Sequence, residues 1–210
     1  MGPPQVYRDG DAPRLTPSEA STNPLTQAER PPSLDRERSE GSRILPMSAL
    51  VRAATVDDAA RVADVLNGVI AEGIHTLFDA PFSEAEERRF ISSLGDRSAL
   101  FVAELAGEIV GLQSLDVFLA YARSTSHVAT MGTWLRADVR GRGIGRQLAA
   151  ESFGFARAHS YTKIVIHVLA DNQPALRFYR GLGFEDIGVA RQHVRLAGRF
   201  HDEIYMERHL

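Results

Sequence analysis

A chain of 210 residues with 44% hydrophobic content can bury one substantial core and is short for two full domains, so one catalytic domain is expected. A formal net charge of -3 provides no dominant basic surface for nucleic acid or an anionic membrane, which leaves small molecules as the expected partners. With no cysteine there is no disulfide, thiolate metal site or cysteine acyl-enzyme, and no apolar run reaches the roughly 18 residues of a membrane span, so a cytoplasmic location is expected.

Eight of the ten prolines fall within residues 1–46, among Ser, Glu, Arg and Asp and without aliphatic periodicity. Such a stretch cannot offset its ordering entropy by burial, and residues 1–46 are expected to form a disordered N-terminal extension ahead of a domain at 47–210. Leu50 to Ala53 reads as a short strand. Thr55 follows as a helix N-cap, with Asp57 and Asp58 in the first turn and Ala59, Val62, Val65, Leu66 and Val69 at helical spacing. Ser83 before Glu84, Glu86 and Glu87 opens a second helix that runs to Leu94 and stops at Gly95. Ala99 to Glu104 and Ile109 to Val117 flank the turn Ala106-Gly107 as a hairpin, and His127 to Leu135 reads as a further strand. Ile144 to His159 is a predicted helix, Ile164 to Leu169 a buried strand, and Ala175 to Leu182 a helix ended by Gly183. Phe184 to Leu196 and Phe200 to Glu207 close the chain as a second hairpin around Ala197-Gly198. The element order is α+β.

The segment Arg140-Gly141-Arg142-Gly143-Ile144-Gly145 carries three glycines at alternate positions just before the helix from Ile144. Glycines let a backbone approach a ligand closely, and a helix N-terminus adds unpaired N–H groups and the positive end of its dipole. With Arg140, Arg142 and Arg146 adding charge, a pyrophosphate is the natural occupant, although the loop read alone is as compatible with a flexible turn. A Walker loop would need Gly-Lys-Ser/Thr where Gly145 is followed by Arg146-Gln147, and a dinucleotide fingerprint would need its third glycine one residue later.

The pattern Arg140-x-x-Gly143-x-Gly145 after a strand, followed by Asn172, Ala175, Phe178-Tyr179 and Leu182-Gly183-Phe184, resembles the GNAT superfamily of N-acetyltransferases. Asn67, Glu72, Pro81-Phe82-Ser83 and the hairpin from Gly198 to Leu210 are similar to its branch of phosphinothricin and amino-acid N-acetyltransferases, with Phe78-Asp79 as a departure. The resemblance implies a mixed, mostly antiparallel twisted sheet flanked by helices and open beside the strand ending at Leu135. It also implies acetyl-CoA as co-substrate and direct acetyl transfer to a primary amine of an amino acid or a similar small molecule. A protein or peptide acceptor, or a non-catalytic acyl-CoA sensor, are the alternatives. A homodimer through the terminal strands or an exposed helix is an expectation from the fold.

By the same resemblance, Thr133, Trp134 and Leu135 run beside the pantetheine arm, and the Leu135 amide polarises the thioester carbonyl. Arg140 to Arg146 hold the phosphates, and Asn172 contacts the cofactor. Tyr179 protonates the departing thiolate. Read as residues only, Asn172 before Pro174 is a helix cap and Tyr179 a core aromatic. The attacking amine must lose a proton, for which Glu72 is the first candidate and His127 the second. No zinc pair of the His-Glu-x-x-His kind is present and no metal is expected. His167, in a predicted buried strand, is read as a hydrogen-bonded core residue.

Overall fold

The alternating and helical patterns become seven strands and four helices in the computed structural model, which describes residues 48–210. The expectation for residues 1–46 lies outside the described residues. The elements are β1 (Leu50–Ala53), α1 (Ala59–Ala71), α2 (Glu84–Ser93), β2 (Ala99–Leu105), β3 (Glu108–Val117), β4 (Val128–Leu135), α3 (Ile144–Ala158), β5 (Lys163–Leu169), α4 (Gln173–Arg180), β6 (Glu185–Leu196) and β7 (Arg199–His209). Thr55 caps a single 3-10 turn, Val56–Asp58, and α1 follows from it. Helix α4 ends two residues earlier than its periodicity predicts. Gly183 takes φ +86°, which lets the Phe184 N–H turn back to the Tyr179 carbonyl at 3.1 Å.

One sheet runs in the order β1-β2-β3-β4-β5-β7-β6. Every neighbouring pair is antiparallel except β4 and β5, which are parallel and share only two registered positions, Val128 with Lys163 and Ala129 with Ile164. Beyond Ala129 the two strands part. Their closed end is fastened by Thr162 N–H to the His127 carbonyl at 3.0 Å, and by the buried Tyr161, whose hydroxyl donates to the Arg97 carbonyl at 2.8 Å.

Helices α1 and α2 pack Val62, Val65, Leu66 and Ile91 against Leu100, Val102 and Leu112 on one face of the sheet. Helices α3 and α4 cover the other face, through Ile144 and Leu148 against Phe101 and Val110, and through Phe153, Leu176 and Tyr179 against Met131, Ile164 and Ile166. Each large aliphatic buried this way contributes about 1.5–3 kcal/mol, which is what holds four helices to a sheet of strands only 4 to 12 residues long.

The start of α1 carries a buried charge. Asp58 accepts from both terminal nitrogens of Arg52 at 2.7 and 2.9 Å, from Arg61 at 2.5 Å and from the Thr55 N–H at 2.8 Å. The Arg52 guanidinium is the largest cause holding its carboxyl well below the usual range, against an opposing effect of burial. A depressed carboxyl pKa stabilises the fold above the unfolded value, about 4, and that stabilisation is lost as the pH falls below it. Asp58→Asn is expected to cost about 3 kcal/mol at pH 7, because two guanidinium groups lose their buried partner, and to flatten the acid dependence of stability. Urea unfolding at pH 7 and pH 3 checks both; an unchanged midpoint at pH 7 contradicts the account.

Candidate active site

Main-chain direction along β4 decides which groups face the opening. The Arg136 N–H donates to the Val110 carbonyl at 3.0 Å and the Val128 carbonyl accepts from Phe118 at 3.0 Å, so even-numbered positions turn their peptide groups toward β3. Strand residues alternate in this respect, so Thr133 and Leu135 turn theirs to the opposite edge, where no β5 residue is registered beyond Ile164. An exposed ladder edge of this kind can take an extended amide-containing chain as an added strand. Gly111 makes room for the end of β4, since a Cβ there would stand 2.4 Å from the Leu135 Cδ2.

The loop after β4 reverses through Gly141 at φ +74° and Gly143 at φ +87°, left-handed conformations that favour glycine. Gly143 is the N-cap of α3, and its carbonyl accepts from Arg146 and Gln147 at 3.1 and 3.2 Å. The amides of Ile144 and Gly145 lie ahead of those bonds, among the N–H groups a helix leaves unpaired within itself. A Cβ at Gly141 would meet nothing within 4 Å, while one at Gly145 would stand 3.0 Å from the Phe178 ring. Gly141 therefore borders open space and Gly145 is a packing glycine. Ile144 is fully buried, so only its backbone is available to a ligand.

The arginines of the loop divide. Arg140 donates through Nε to the Leu135 carbonyl at 3.0 Å and through both terminal nitrogens to the Glu72 carboxylate, at 2.6 and 2.5 Å. Its charge is neutralised by Glu72 and its fork is used to hold the end of β4. Arg142 and Arg146 are exposed, and Arg146 also donates to the Gly181 carbonyl at 3.1 Å.

Glu72, the first candidate base, is engaged by its neighbours. It forms the C-cap of α1, carries that bidentate pair and lies 3.1 Å from His75 Nε2. Hydrogen bonds from Arg140 are the largest cause lowering its carboxyl below the ordinary range. His127, the second candidate, lies at the other end of the strand. It precedes β4 at the closed end of the gap, eight residues before Leu135, or about 25 Å along an extended strand.

Tyr179 is buried, and its hydroxyl donates to Thr133 Oγ1 at 3.0 Å. Burial pushes the phenol pKa up, opposed by the side chain and backbone of Thr133, so the proton is retained through the neutral range. The same Thr133 oxygen accepts from Gln113 Nε2 at 2.6 Å. Gln113 is fully buried and its Oε1 has no hydrogen-bond partner among the described residues. This Gln113–Thr133–Tyr179 chain, running from β3 to α4, is absent from the sequence reading; Gln113, at a position of the strand Ile109 to Val117 between Leu112 and Ser114, was its one signal.

Asn172 caps α4 by accepting from the Ala175 N–H at 3.2 Å, and its amide donates to the His75 carbonyl at 3.4 Å. Both polar ends are engaged within the protein, and the second tethers the α1–α2 loop to α4. That loop is held elsewhere too. Asn67 exchanges two 2.8 Å hydrogen bonds with the Phe82 backbone, and Trp134 Nε1 donates to Thr76 Oγ1 at 3.3 Å. The Trp134 ring lies over Gly132 and stacks on Phe78 at 5.9 Å, with Phe78 edge-on to Phe82 at 5.0 Å.

His167 is corrected, since it is not a core residue. Its side chain is 38% exposed, and Nδ1 lies 2.6 Å from Oε1 of Glu203, a carboxylate on β7 that is only 2% exposed. A cavity of about 530 Å³ between α1, the β2–β3 turn and residues 136–138 reaches Glu72 but none of Thr133, Tyr179 or the glycine loop, so it stands apart from this chemistry.

A glycine loop at a helix start, a parallel pair splayed beside it and a buried tyrosine at the opening coincide with a family match: the model of the acetyltransferase (GNAT) family covers residues 70–184, more than half of the chain. The chain belongs to the GNAT acetyltransferase family. It is an acyl-CoA-dependent N-acetyltransferase. Among its GNAT relatives, the N-alpha-acetyltransferase RimI of Mycobacterium tuberculosis is 41% identical over 128 residues, which cover 55% of this chain and 78% of that one. The L-methionine sulfoximine/L-methionine sulfone acetyltransferase of Pseudomonas aeruginosa is 25% identical over 169 residues, covering 78% and 96%. A solved GNAT superfamily phosphinothricin acetyltransferase from Sinorhizobium meliloti, in complex with AcCoA, is similar with a TM-score of 0.71 and 26% identity over 78% of this chain and 89% of that one. Among the described residues no helix is long and apolar enough to cross a membrane, and no group of three or more His, Asp or Glu is placed to hold a metal ion.

Proposed function

We propose that this enzyme transfers the acetyl group of acetyl-CoA directly to the primary amine of an amino acid or an amino-acid-like small molecule. The observation that carries the acceptor class is the tethering of the α1–α2 loop. It is fastened by Asn67 to Phe82, by Trp134 to Thr76 and by Asn172 to His75, and it places Phe78 and Trp134 as an aromatic wall on the α1/α2 face. A wall fixed at three points favours a small acceptor over an extended polypeptide. The relative acting on methionine sulfoximine and methionine sulfone, aligned over 96% of its length, supports the same reading.

Acetyl-CoA supplies the acyl group as a thioester. On this reading the amides of Ile144 and Gly145, with Arg142 and Arg146, hold its pyrophosphate, and the free edge of β4 at Thr133 and Leu135 holds the pantetheine arm. The Leu135 N–H, directed to that edge, would place a donor at the carbonyl oxygen as negative charge develops there. The Tyr179 O–H, released from Thr133, would deliver a proton to the departing sulfur, and the Thr133 hydroxyl stays behind to receive and steady the phenol oxygen. Gln113 anchors that hydroxyl.

A protein N-terminus is the second reading, favoured by the 41% identity to an N-alpha-acetyltransferase. Thiol release from acetyl-CoA, measured against amino acids, methionine sulfoximine, aminoglycosides and short peptides, separates the two. Turnover of free amino acids or their analogues at least tenfold above that of peptides is expected. A preference for peptides overturns the acceptor class, and release of CoA that no acceptor accelerates returns the idle acyl-CoA sensor.

A further inference from the structure

From the geometry around β5 we infer that His167, held by Glu203, is the base that takes the proton from the acceptor amine. The inference rests on amine acetylation as proposed above and adds its proton acceptor, with Glu72 paired to Arg140 and His127 at the closed end of the gap.

Strand alternation places the pair. Ile164, Ile166 and Val168 of β5 pack in the cluster that holds Leu176 and Tyr179, so His167 faces the opposite side of the sheet, the side on which Trp134 meets α1 and α2. Continuing the register of Val128 with Lys163 and Ala129 with Ile164 brings His167 level with Gly132, next to Thr133. Tyr179 reaches Thr133 from the α4 side. A proton acceptor and a proton donor thus flank the β4–β5 opening at the same level, from opposite faces.

The chemistry of the pair follows from its contacts. A carboxylate can only accept, so the 2.6 Å contact assigns the hydrogen to His167 Nδ1 and leaves the Nε2 lone pair available. Nε2 has no hydrogen-bond partner among the described residues. Glu203 is buried, and burying a carboxylate is costly without a hydrogen-bonded partner, so its presence beneath an exposed imidazole fixes the ring and its tautomer. Tyr205 stacks on His167 at 5.8 Å and restrains the ring further. His167 is the catalytic residue in this arrangement and Glu203 the positioning residue.

An acceptor arriving as an ammonium gives one proton to His167 Nε2. The freed nitrogen pair forms the C–N bond as the C–S bond breaks and leaves its pair on sulfur, which takes the Tyr179 proton. The second proton lost from nitrogen restores the phenol, and His167 passes its proton to water. The net products are the acetamide, the free thiol and one proton.

The groups that bear on His167 are few. Glu203 and Tyr205 approach from β7, and His193 of β6 stands 3.9 Å from Glu203. The Lys163–Glu207 pair lies nearer the closed end, the His201–Asp171 pair follows past the end of β5, and the His75–Glu72 pair belongs to the α1–α2 segment.

The test has two arms. In the free enzyme, nitrogen-15 NMR of the histidine rings, with His167 assigned by its loss in His167→Gln, is expected to show the Nδ1–H tautomer when neutral. In Glu203→Leu the preference for the Nδ1–H tautomer should be lost, because no carboxylate then accepts the Nδ1 hydrogen. In kinetics, His167→Gln should lower kcat/KM for the amine by about 10²-fold near neutral pH and leave acetyl-CoA affinity unchanged. Wild-type kcat/KM in His167→Gln, or an Nε2–H tautomer in the free enzyme, overturns the inference. If the wild type turns over peptides in place of small amines, the acceptor class above falls, and the same two arms, run on a peptide, still decide the base.

Discussion

Gly143→Trp is expected to abolish acetyl-CoA binding and turnover while the protein stays folded. Gly143 has φ +87° and caps the 15-residue helix α3, so an L-residue there costs about 1–2 kcal/mol of backbone strain. A domain with 5–15 kcal/mol of stability survives that loss. An indole would then stand beside the amides of Ile144 and Gly145, where an anion has to approach them. Gly141→Ala is the control, because it takes on a comparable strain at φ +74° with no heavy atom within 4 Å of the new Cβ. It should keep most of the affinity. Calorimetric titration with acetyl-CoA, alongside the thermal midpoint of each variant, separates occlusion from strain. Ordinary acetyl-CoA binding in folded Gly143→Trp overturns the assignment of the loop.

Tyr179→Phe is expected to lower kcat by about 10²-fold or more with acetyl-CoA affinity nearly unchanged. The substitution removes one oxygen from a buried ring packed against Phe178 and Phe184. It also removes the 3.0 Å hydrogen bond to Thr133, a loss of about 1 kcal/mol in stability, so any larger effect on turnover must come from the proton. Burial raises the phenol pKa above its ordinary value of 10, so the acid form persists across the neutral range. The rate limited by that proton falls only at higher pH. In the Phe variant this alkaline dependence of kcat should be absent. An unchanged kcat makes Tyr179 structural and returns it to its reading as a core aromatic.

Much of the fold was legible before any coordinates. Thr55, Ser83 and Asn172 each start a helix or its leading turn where capping chemistry expects it, and the Ala106-Gly107 and Ala197-Gly198 turns sit between the strands they were expected to join. These features depend on near neighbours in the chain. The site was legible where a short motif requires a particular backbone, as at Gly141 and Gly143. It was misread where a role depends on distant partners. Glu72 and Arg140 stand 68 positions apart, and only their meeting turns a free carboxylate and a phosphate-facing cation into one neutral clamp at the end of β4. Likewise, nothing local to β5 signals the partner of His167, since Glu203 lies 36 residues away on the neighbouring strand.

The sequence by itself determined the element order, the left-handed turns of the glycine loop and the start of the helix behind it, because capping, glycine conformation and hydrophobic period act within a few residues. Only the tertiary structure decided which side chains are available for chemistry. The parting of β4 from β5 after two shared positions exposes the Leu135 edge, and strand alternation turns His167 to the face opposite the one from which α4 brings Tyr179 to Thr133. Proton transfer depends on distance and on which partner already occupies a group, and both are properties of the assembled sheet.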